Sequence, residues 1–259
     1  MGAVQAKKSL GQNFLIDPNV ARKIVGCLHL QPTDRVLEIG PGRGALSEVL
    51  LGTGAQVLGV EKDFDLILEL KKKYPALDLM ATDAMGLAWE GLSRAGIHKV
   101  VGNLPYNVAS PLVWDIVSCC PQVIRVVFTV QKEVGYRLIA SPGSKEYGAL
   151  SVWVQNFAHP RLEFVLAPTV FRPRPRVDSA VISFSPQIAR PSPLEAQVLS
   201  GLLRICFQQR RKQLKTSLRR LWSEQVQAWF LEQNLSPTAR AEELTPLNFL
   251  SLARILQPE

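Results

Sequence analysis

Arg35-Val36-Leu37-Glu38-Ile39-Gly40-Pro41-Gly42-Arg43-Gly44 decides the fold class. A short, mostly apolar strand runs into glycines at alternate positions, and Ala45 to Leu51 continues as a helix. Glycines there permit a tight strand-to-helix turn and let backbone N–H groups approach a ligand closely. The alternation then repeats outward. Gln56 to Val60 predicts a strand, Phe64 to Lys73 a helix, and Leu77 to Ala81 a strand. Lys99 to Gly102 and Val123 to Val130 predict further strands, with a helix at Pro111 to Val117 between them. Leu150 to Asn156 and Ser179 to Phe184 also read as strands, and Asp17-Pro18 caps an N-terminal helix carrying Val20, Ile24 and Leu28. Such alternation predicts an α/β fold with a doubly wound, mostly parallel sheet covered on both faces.

The proline-rich stretch from Ser185-Pro186 to Ser192-Pro193 separates two regimes, so residues 1–187 are expected to form one domain and 188–259 a second, small and all-helical. Leu203, Phe207, Leu214, Leu218 and Leu221 share one helical face, and Ser236-Pro237 and Thr245-Pro246 are cap-plus-proline helix starts.

The chain has 259 residues, 47% hydrophobic and 20% charged, with net charge +8. That is the composition of a globular chain with a sizeable core, and the excess of cations suggests a polyanionic partner, most simply nucleic acid. Cys27, Cys119, Cys120 and Cys206 lack metal-ligand spacing, and His29, His98 and His159 are scattered, so no metal is expected. No apolar stretch is long enough to span a membrane, Lys7 and Lys8 precede no apolar signal region, and Ala6 occupies the position where myristoylation needs Ser or Thr. A cytoplasmic location, with no membrane partner and a monomeric state, is the default expectation.

The chemistry-bearing residues stand at successive strand ends. Glu61 ends the second strand, where a carboxylate accepts ribose hydroxyls. Asp83, after the third, is placed for an adenine amino group, and the fourth ends in Asn103-Leu104-Pro105-Tyr106. A nicotinamide fold would share the first of these features. However, the spacing Gly-x-Gly-x-Gly provides less for a pyrophosphate, and a dehydrogenase has no use for Asn-Leu-Pro-Tyr. That tetrapeptide suits methylation of an amine conjugated to a flat ring. The Asn103 amide oxygen and the Leu104 carbonyl, exposed by the Pro105 turn, accept its two N–H bonds and favour the pyramidal nitrogen of the transition state. Tyr106 offers a face on which a flipped-out base stacks. The combination points to S-adenosylmethionine and an amine acceptor. Taken singly, each residue also reads as a helix cap or a plain turn.

With these residues in hand, the chain resembles the ribosomal RNA adenine dimethyltransferases, and within them the bacterial branch acting on the small subunit. The resemblance runs through Leu10-Gly11-Gln12-Asn13-Phe14-Leu15, Glu38 to Gly44, Val60-Glu61, Asp83-Ala84 and Gly102 to Tyr106. It continues through Gln131-Lys132-Glu133, Pro142 to Lys145 with Tyr147-Gly148, Phe171 to Val181, and Phe207 with Arg210-Arg211-Lys212. One departure is Phe171-Arg172-Pro173-Arg174-Pro175-Arg176, where Pro-Pro-Lys is expected in the middle; it keeps the bracketing prolines and adds charge. The resemblance implies a Rossmann-like class I methyltransferase that dimethylates two adjacent adenines in the 3′-terminal hairpin of 16S rRNA within the immature 30S subunit. It implies that Asn13 and Leu15 close over the cofactor and that Gly40 gives it a backbone contact. Glu61 would take the ribose, Asp83 the cofactor adenine, and Asn103 would border both ligands. Leu104, Pro105 and Tyr106 would complete the target site, with Phe171 stacking on the base's other side.

Arg204, Arg211, Lys215 and Arg219 fall on one stripe at helical spacing, with Arg210, Lys212 and Arg220 beside it and no acidic residue from Arg204 to Leu221. A charge run is usually a solvated face, but this one lacks neutralising partners, so phosphate contact is expected. Arg172, Arg174 and Arg176 would extend the contact near the target pocket. Three rivals share parts of this pattern: the sister enzyme acting on large-subunit rRNA, a ribosome-assembly factor without turnover, and a DNA amine methyltransferase. The last lacks a recognisable duplex-reading motif.

Overall fold

The structure is a computed structural model and describes residues 6–7, 10–89, 91–209, 212–236 and 238–257. In chain order the elements are β1 (Phe14–Leu15), α1 (Pro18–Gly26), β2 (Arg35–Ile39), α2 (Ala45–Leu51), β3 (Gln56–Glu61), α3 (Phe64–Lys73), β4 (Asp78–Ala81), α4 (Gly91–Arg94), β5 (Lys99–Asn103) and α5 (Ala109–Cys119). They continue with β6 (Arg125–Gln131), α6 (Lys132–Ile139), α7 (Ala149–Phe157), β7 (Ala158–Leu166), β8 (Phe171–Arg172), β9 (Ser179–Pro186), α8 (Pro193–Phe207), α9 (Leu214–Ser217), α10 (Glu224–Glu232) and α11 (Pro246–Ile255).

Among the described residues, seven strands form one sheet in the order β4-β3-β2-β5-β6-β9-β7. The pairs from β4 to β6 are parallel and β6–β9 is antiparallel. This is the doubly wound α/β sheet expected. Its strand order reverses between β2 and β5, the switch point where connections leave toward opposite faces and open a crevice beyond the strands' carboxyl ends. Ile39 pairs with Gly102 there, and a Cβ on Gly102 would meet the Ile39 carbonyl oxygen at 2.7 Å, so only glycine allows this close approach. Val36, Leu37, Val100, Val101 and Val127 are sealed in the sheet, as two covered faces require. A separate ribbon pairs β1 with β8, Phe14 opposite Arg172 and Leu15 opposite Phe171.

The chain groups into two compact units, residues 1–135 with 160–186, and 136–159 with 187–259. The first holds the sheet crevice. In the second, α7, α8 and α11 pack on one another, with Tyr147, Phe230 and Phe249 fully buried and the Tyr147 hydroxyl donating to the Leu244 carbonyl at 2.8 Å. The sequence division at 187–188 places residues 136–159 with the first domain, whereas these residues group with the helical unit.

Three local expectations are corrected. Leu150 to Asn156 is not a strand but lies within α7. Seven of its nine residues are buried, and a short run buried nearly all round shows no periodicity to separate a buried strand from a buried helix. The leucine face from Leu203 to Leu221 is not one helix: α8 ends at Phe207 and α9 spans only Leu214–Ser217. Gln213 instead pairs with Arg240 and the Leu214 N–H donates to the Ala239 carbonyl, so the chain leaves the helical register before α9. Ser236 starts no helix; Pro237 lies outside the described residues, and the chain turns at Thr238 before a short 3-10 turn at Ala241–Glu243. Thr245-Pro246 does open α11, with Thr245 accepting from the Asn248 N–H. The strands β1, β7 and β8 and the helix α6 are additions to the sequence reading.

Candidate active site

The crevice at the switch point is lined by the segment Leu10–Leu15, the glycine-rich turn, the ends of β3 and β4, and Asn103 to Val108. The topology that creates it therefore collects Asn13, Leu15, Gly40, Glu61, Asp83, Asn103, Leu104, Pro105 and Tyr106 around one cavity.

Glu61 is 7% exposed. Its carboxylate accepts from the N–H groups of Lys62 and Asp63, both at 2.9 Å, and of Gly42 at 3.1 Å. Burial pushes its carboxyl up, and the three backbone donors oppose that shift. The bond from Gly42 depends on backbone geometry: Gly42 has φ +60°, and a Cβ there would lie 3.0 Å from the Phe14 ring. Asp83 stands further out. Lys62 Nζ donates to it at 2.7 Å and the Met85 N–H at 3.0 Å, and these bonds, Lys62 first, hold its carboxyl below the usual range.

Asn103 ends β5, and its side-chain Nδ2 donates to the Asn13 carbonyl at 2.8 Å. That bond assigns the amide's orientation and reserves its oxygen for accepting. The Leu104 N–H is tied to the Thr129 carbonyl, and the Val108 N–H to that of Pro105, which fixes the turn. Tyr106 is half-buried and shares a 2.7 Å hydrogen bond with Ser179 Oγ; burial raises its phenol and the Ser179 bond opposes the rise.

Phe171 is placed otherwise than expected. It is 4% exposed and packed in the core cluster with Leu15, Leu166 and Val181, off the cavity wall. Pairing of β8 with β1 sets Phe171 opposite Leu15, and both belong to the same buried cluster. Arg172, the last residue of β8, and Arg174, on the connection to β9, are exposed. In the helical unit Arg204, Lys212, Lys215 and Arg219 are exposed, whereas Arg210 and Arg211 lie outside the described residues. With the helix interrupted after Phe207, these cations do not form one helical stripe.

Four functional positions escaped the sequence reading. Glu38 lines the cavity at 1% exposure, accepts from Ser47 Oγ at 2.6 Å, and is pushed up to about 7 by burial, with Glu61 adding to the rise. Its place in the strand before the glycines was the available signal. Asp63 caps α3 and also accepts from Lys7 Nζ at 2.6 Å and Gln12 Nε2 at 3.0 Å, tying the segment that carries Asn13 to the Glu61 corner. Arg43 places its guanidinium 4.7 Å from the Phe14 ring centroid, and Ser179 holds Tyr106. The last three rest on contacts between distant segments, which spacing does not encode.

Among the described residues, no group of three or more His, Cys, Asp or Glu is placed to hold a metal ion, and no helix is long and apolar enough to cross a membrane. The polar groups instead fit a nucleoside with an amino-acid tail: an accepting carboxylate at the end of β3, another beyond β4, and polar backbone between them.

The family model described as ribosomal RNA adenine dimethylase matches residues 3–258. A protein of Oleidesulfovibrio alaskensis named "Ribosomal RNA small subunit methyltransferase A" is 48% identical over 99% of this chain and 93% of its own length. One of the same name from Prosthecochloris aestuarii is 38% identical, over 98% and 95%. Among solved structures, a dimethyladenosine transferase from Plasmodium falciparum superimposes with a TM-score of 0.75 at 25% identity, covering 92% of this chain and 95% of that one. A 23S rRNA methyltransferase shares the fold with a TM-score of 0.71 at 21% identity, covering 94% and 99%. The switch-point crevice, its ordered strand-end residues and a match over almost the whole length lead to one assignment: this chain belongs to the ribosomal RNA adenine dimethylase family and transfers methyl groups from S-adenosylmethionine to adenines of ribosomal RNA.

Proposed function

We propose that the substrate is the pair of adjacent adenines in the 3′-terminal hairpin of 16S rRNA, dimethylated within the immature 30S subunit by a monomeric cytoplasmic enzyme. The observation that carries the mechanistic part is Asn103, its Nδ2 committed to the Asn13 carbonyl so that its oxygen remains the acceptor. The names of the similar bacterial proteins support the small subunit as target.

Glu61 holds the cofactor's ribose, Asp83 its adenine, and Asn13, Leu15 and Gly40 border its methionine end. S-adenosylmethionine, when bound, supplies an electrophilic methyl group. The Asn103 oxygen and the Leu104 carbonyl accept the N–H bonds of the target amine, pulling its lone pair out of conjugation as it attacks. Tyr106 stacks on the extruded base, which offsets an unstacking cost of about a few kcal/mol. No side-chain base is needed, because the methylated nitrogen is acidic and releases its proton to water. Arg172, Arg174, Arg204, Arg210, Arg211, Lys212, Lys215 and Arg219 position the RNA by its phosphates, and the helical C-terminal part serves mainly this purpose.

The test is methyl transfer from labelled S-adenosylmethionine to undermethylated 30S subunits, with 50S subunits in parallel and the product mapped by nucleotide. Dimethyladenosine near the 16S 3′ end is expected, and Asn103→Ala should lower the rate by about a hundredfold or more while S-adenosylhomocysteine still binds. Label confined to 50S subunits overturns the substrate, and an Asn103→Ala protein of undiminished rate overturns the mechanism.

A further inference from the structure

We propose that Asn107 reads the target base, donating an N–H bond from its side-chain amide to a ring nitrogen of adenine beside the reacting amine. The proposal rests on the placement of that amine at Asn103 and Leu104.

The two acceptors leave the identity of the base unread. They take the N–H bonds of an exocyclic amine, which cytosine offers as well as adenine. Tyr106 adds a stacking face, and every base has a face to stack. Adenine differs in that its amine stands between two accepting ring nitrogens, N1 and N7. Guanine has an N–H on one side of its amine, and cytosine a C–H. A donor placed at either adenine nitrogen therefore narrows the choice of base, because a wrong base leaves that donor unpaired.

Among the described residues, four side-chain amides line the crevice: Gln12, Asn13, Asn103 and Asn107. Three of them commit N–H bonds to holding the N-terminal segment. Gln12 Nε2 donates to Asp63 at 3.0 Å, Asn13 Nδ2 to the Gly11 carbonyl at 3.2 Å, and Asn103 Nδ2 to the Asn13 carbonyl at 2.8 Å. Asn107 is exposed, and its side-chain amide makes no hydrogen bond among the described residues. It directly follows Tyr106, in the turn closed by the Val108 N–H on the Pro105 carbonyl. The oxygen end of its amide meets the N-terminal segment: a Cβ on Gly11 would lie 3.1 Å from Asn107 Oδ1. Gly11, at φ +62° and without a side chain, leaves room for the amide there. With the oxygen against Gly11, the N–H donors are left for the crevice, on the wall that Asn103 and Tyr106 share. An asparagine amide is also a standard complement to the polar edge of adenine.

The test is methyl transfer to 30S subunits assembled around 16S rRNA with a synthetic 3′ hairpin. Its target positions carry adenosine, 1-deazaadenosine or 7-deazaadenosine. Removing a ring nitrogen also changes the amine itself, equally for every variant, so the comparison between proteins isolates the contact. With the unaltered protein, one of the two deaza substrates should lose about tenfold more kcat/KM than it loses with Asn107→Ala. On adenosine, Asn107→Ala should itself lose about tenfold, with S-adenosylhomocysteine affinity unchanged. Asn107→Asp keeps the shape and the oxygen but has no donor, so it should match Asn107→Ala and serves where the truncation fails to fold. Equal deaza losses in the unaltered protein and the variants would show that no ring nitrogen is contacted. Weaker S-adenosylhomocysteine binding alongside slower transfer would show that Asn107 acts by holding the Gly11 segment; either result overturns the proposal. Asn103→Ala tests the underlying placement: undiminished transfer there moves the amine elsewhere and takes the proposal with it. A slowed Asn103→Ala with no deaza effect at Asn107 overturns the proposal alone.

Discussion

The crevice wall of the sheet unit and the basic segment of the helical unit are both legible as spacings, and they fare differently in three dimensions. Glu61, Asp83 and Asn103 lie far apart in the chain yet meet at one cavity. Arg204, Lys215 and Arg219 lie close together in the chain yet share no helix, because α8 ends at Phe207 and α9 spans only Leu214–Ser217. A parallel sheet turns strand order into spatial order, so an acid at each strand end is informative whatever lies between. Helical periodicity carries meaning only while the helix continues, and one break rotates every later residue by an unrelated angle. The sheet residues should consequently act as individuals with distinct signatures, and the helical cations as interchangeable charges.

The largest effect expected from this contrast concerns Glu38. Burial lifts its carboxyl from an ordinary 4.5 to about 7, with Ser47 opposing and Glu61 adding to the rise. Between those values the folded protein binds a proton that the unfolded chain has lost. Glu38 thus contributes stability that is fully present below about pH 4.5 and is lost as pH rises through about 7. Glu38→Gln should remove that slope and stabilise the cofactor-free protein above pH 7 by on the order of 3 kcal/mol, read from urea midpoints across the range. An unchanged slope would mean the carboxylate is solvated, and the sheet wall would lose one of its individual members.

Next in size is the pair Lys215→Gln and Arg219→Gln. If both contact phosphate as interchangeable cations, each should reduce the slope of log affinity against log salt by about 0.7–0.9, with S-adenosylhomocysteine binding unaltered. A slope that changes for one residue alone would break the comparison, since it would make the helical face a built site.

The smallest effect belongs to Ser179→Ala, which removes the 2.7 Å partner of Tyr106 without touching either ligand. RNA KM should rise roughly two- to fivefold with kcat little changed, as expected for the loss of one ordinary hydrogen bond. The Tyr106 phenol should titrate higher, because Ser179 opposes its rise. Ser179→Thr should restore both. A fall in kcat at constant KM would instead place Ser179 in the chemistry.

Legibility in the sequence followed the reach of each signal. β2, β3 and β5 stand close to their sequence bounds because buried parallel strands are apolar runs closed by turn residues. β1 and β8 have two residues each and exist by pairing with one another, so neither segment announces itself. Leu150 to Asn156 is buried on nearly every side, and its partners in the helical unit, not its own pattern, make it a helix. Phe171, assigned to base stacking by the family resemblance, is grouped with Leu15 and Val181 in the core cluster.

The amino-acid sequence by itself determined the doubly wound sheet, the order of the polar strand-end residues along it, and the tetrapeptide Asn103 to Tyr106 at its fourth strand end. These follow from local periodicity and from the fixed relation between strand order and the switch-point crevice. The tertiary structure alone decided which atoms hold those residues in place. The Asn13 carbonyl on Asn103, Lys7 and Gln12 on Asp63, Ser179 on Tyr106 and Phe14 under Arg43 all join segments far apart in the chain. Such contacts depend on distances between elements set by packing, and no spacing within a single segment records them.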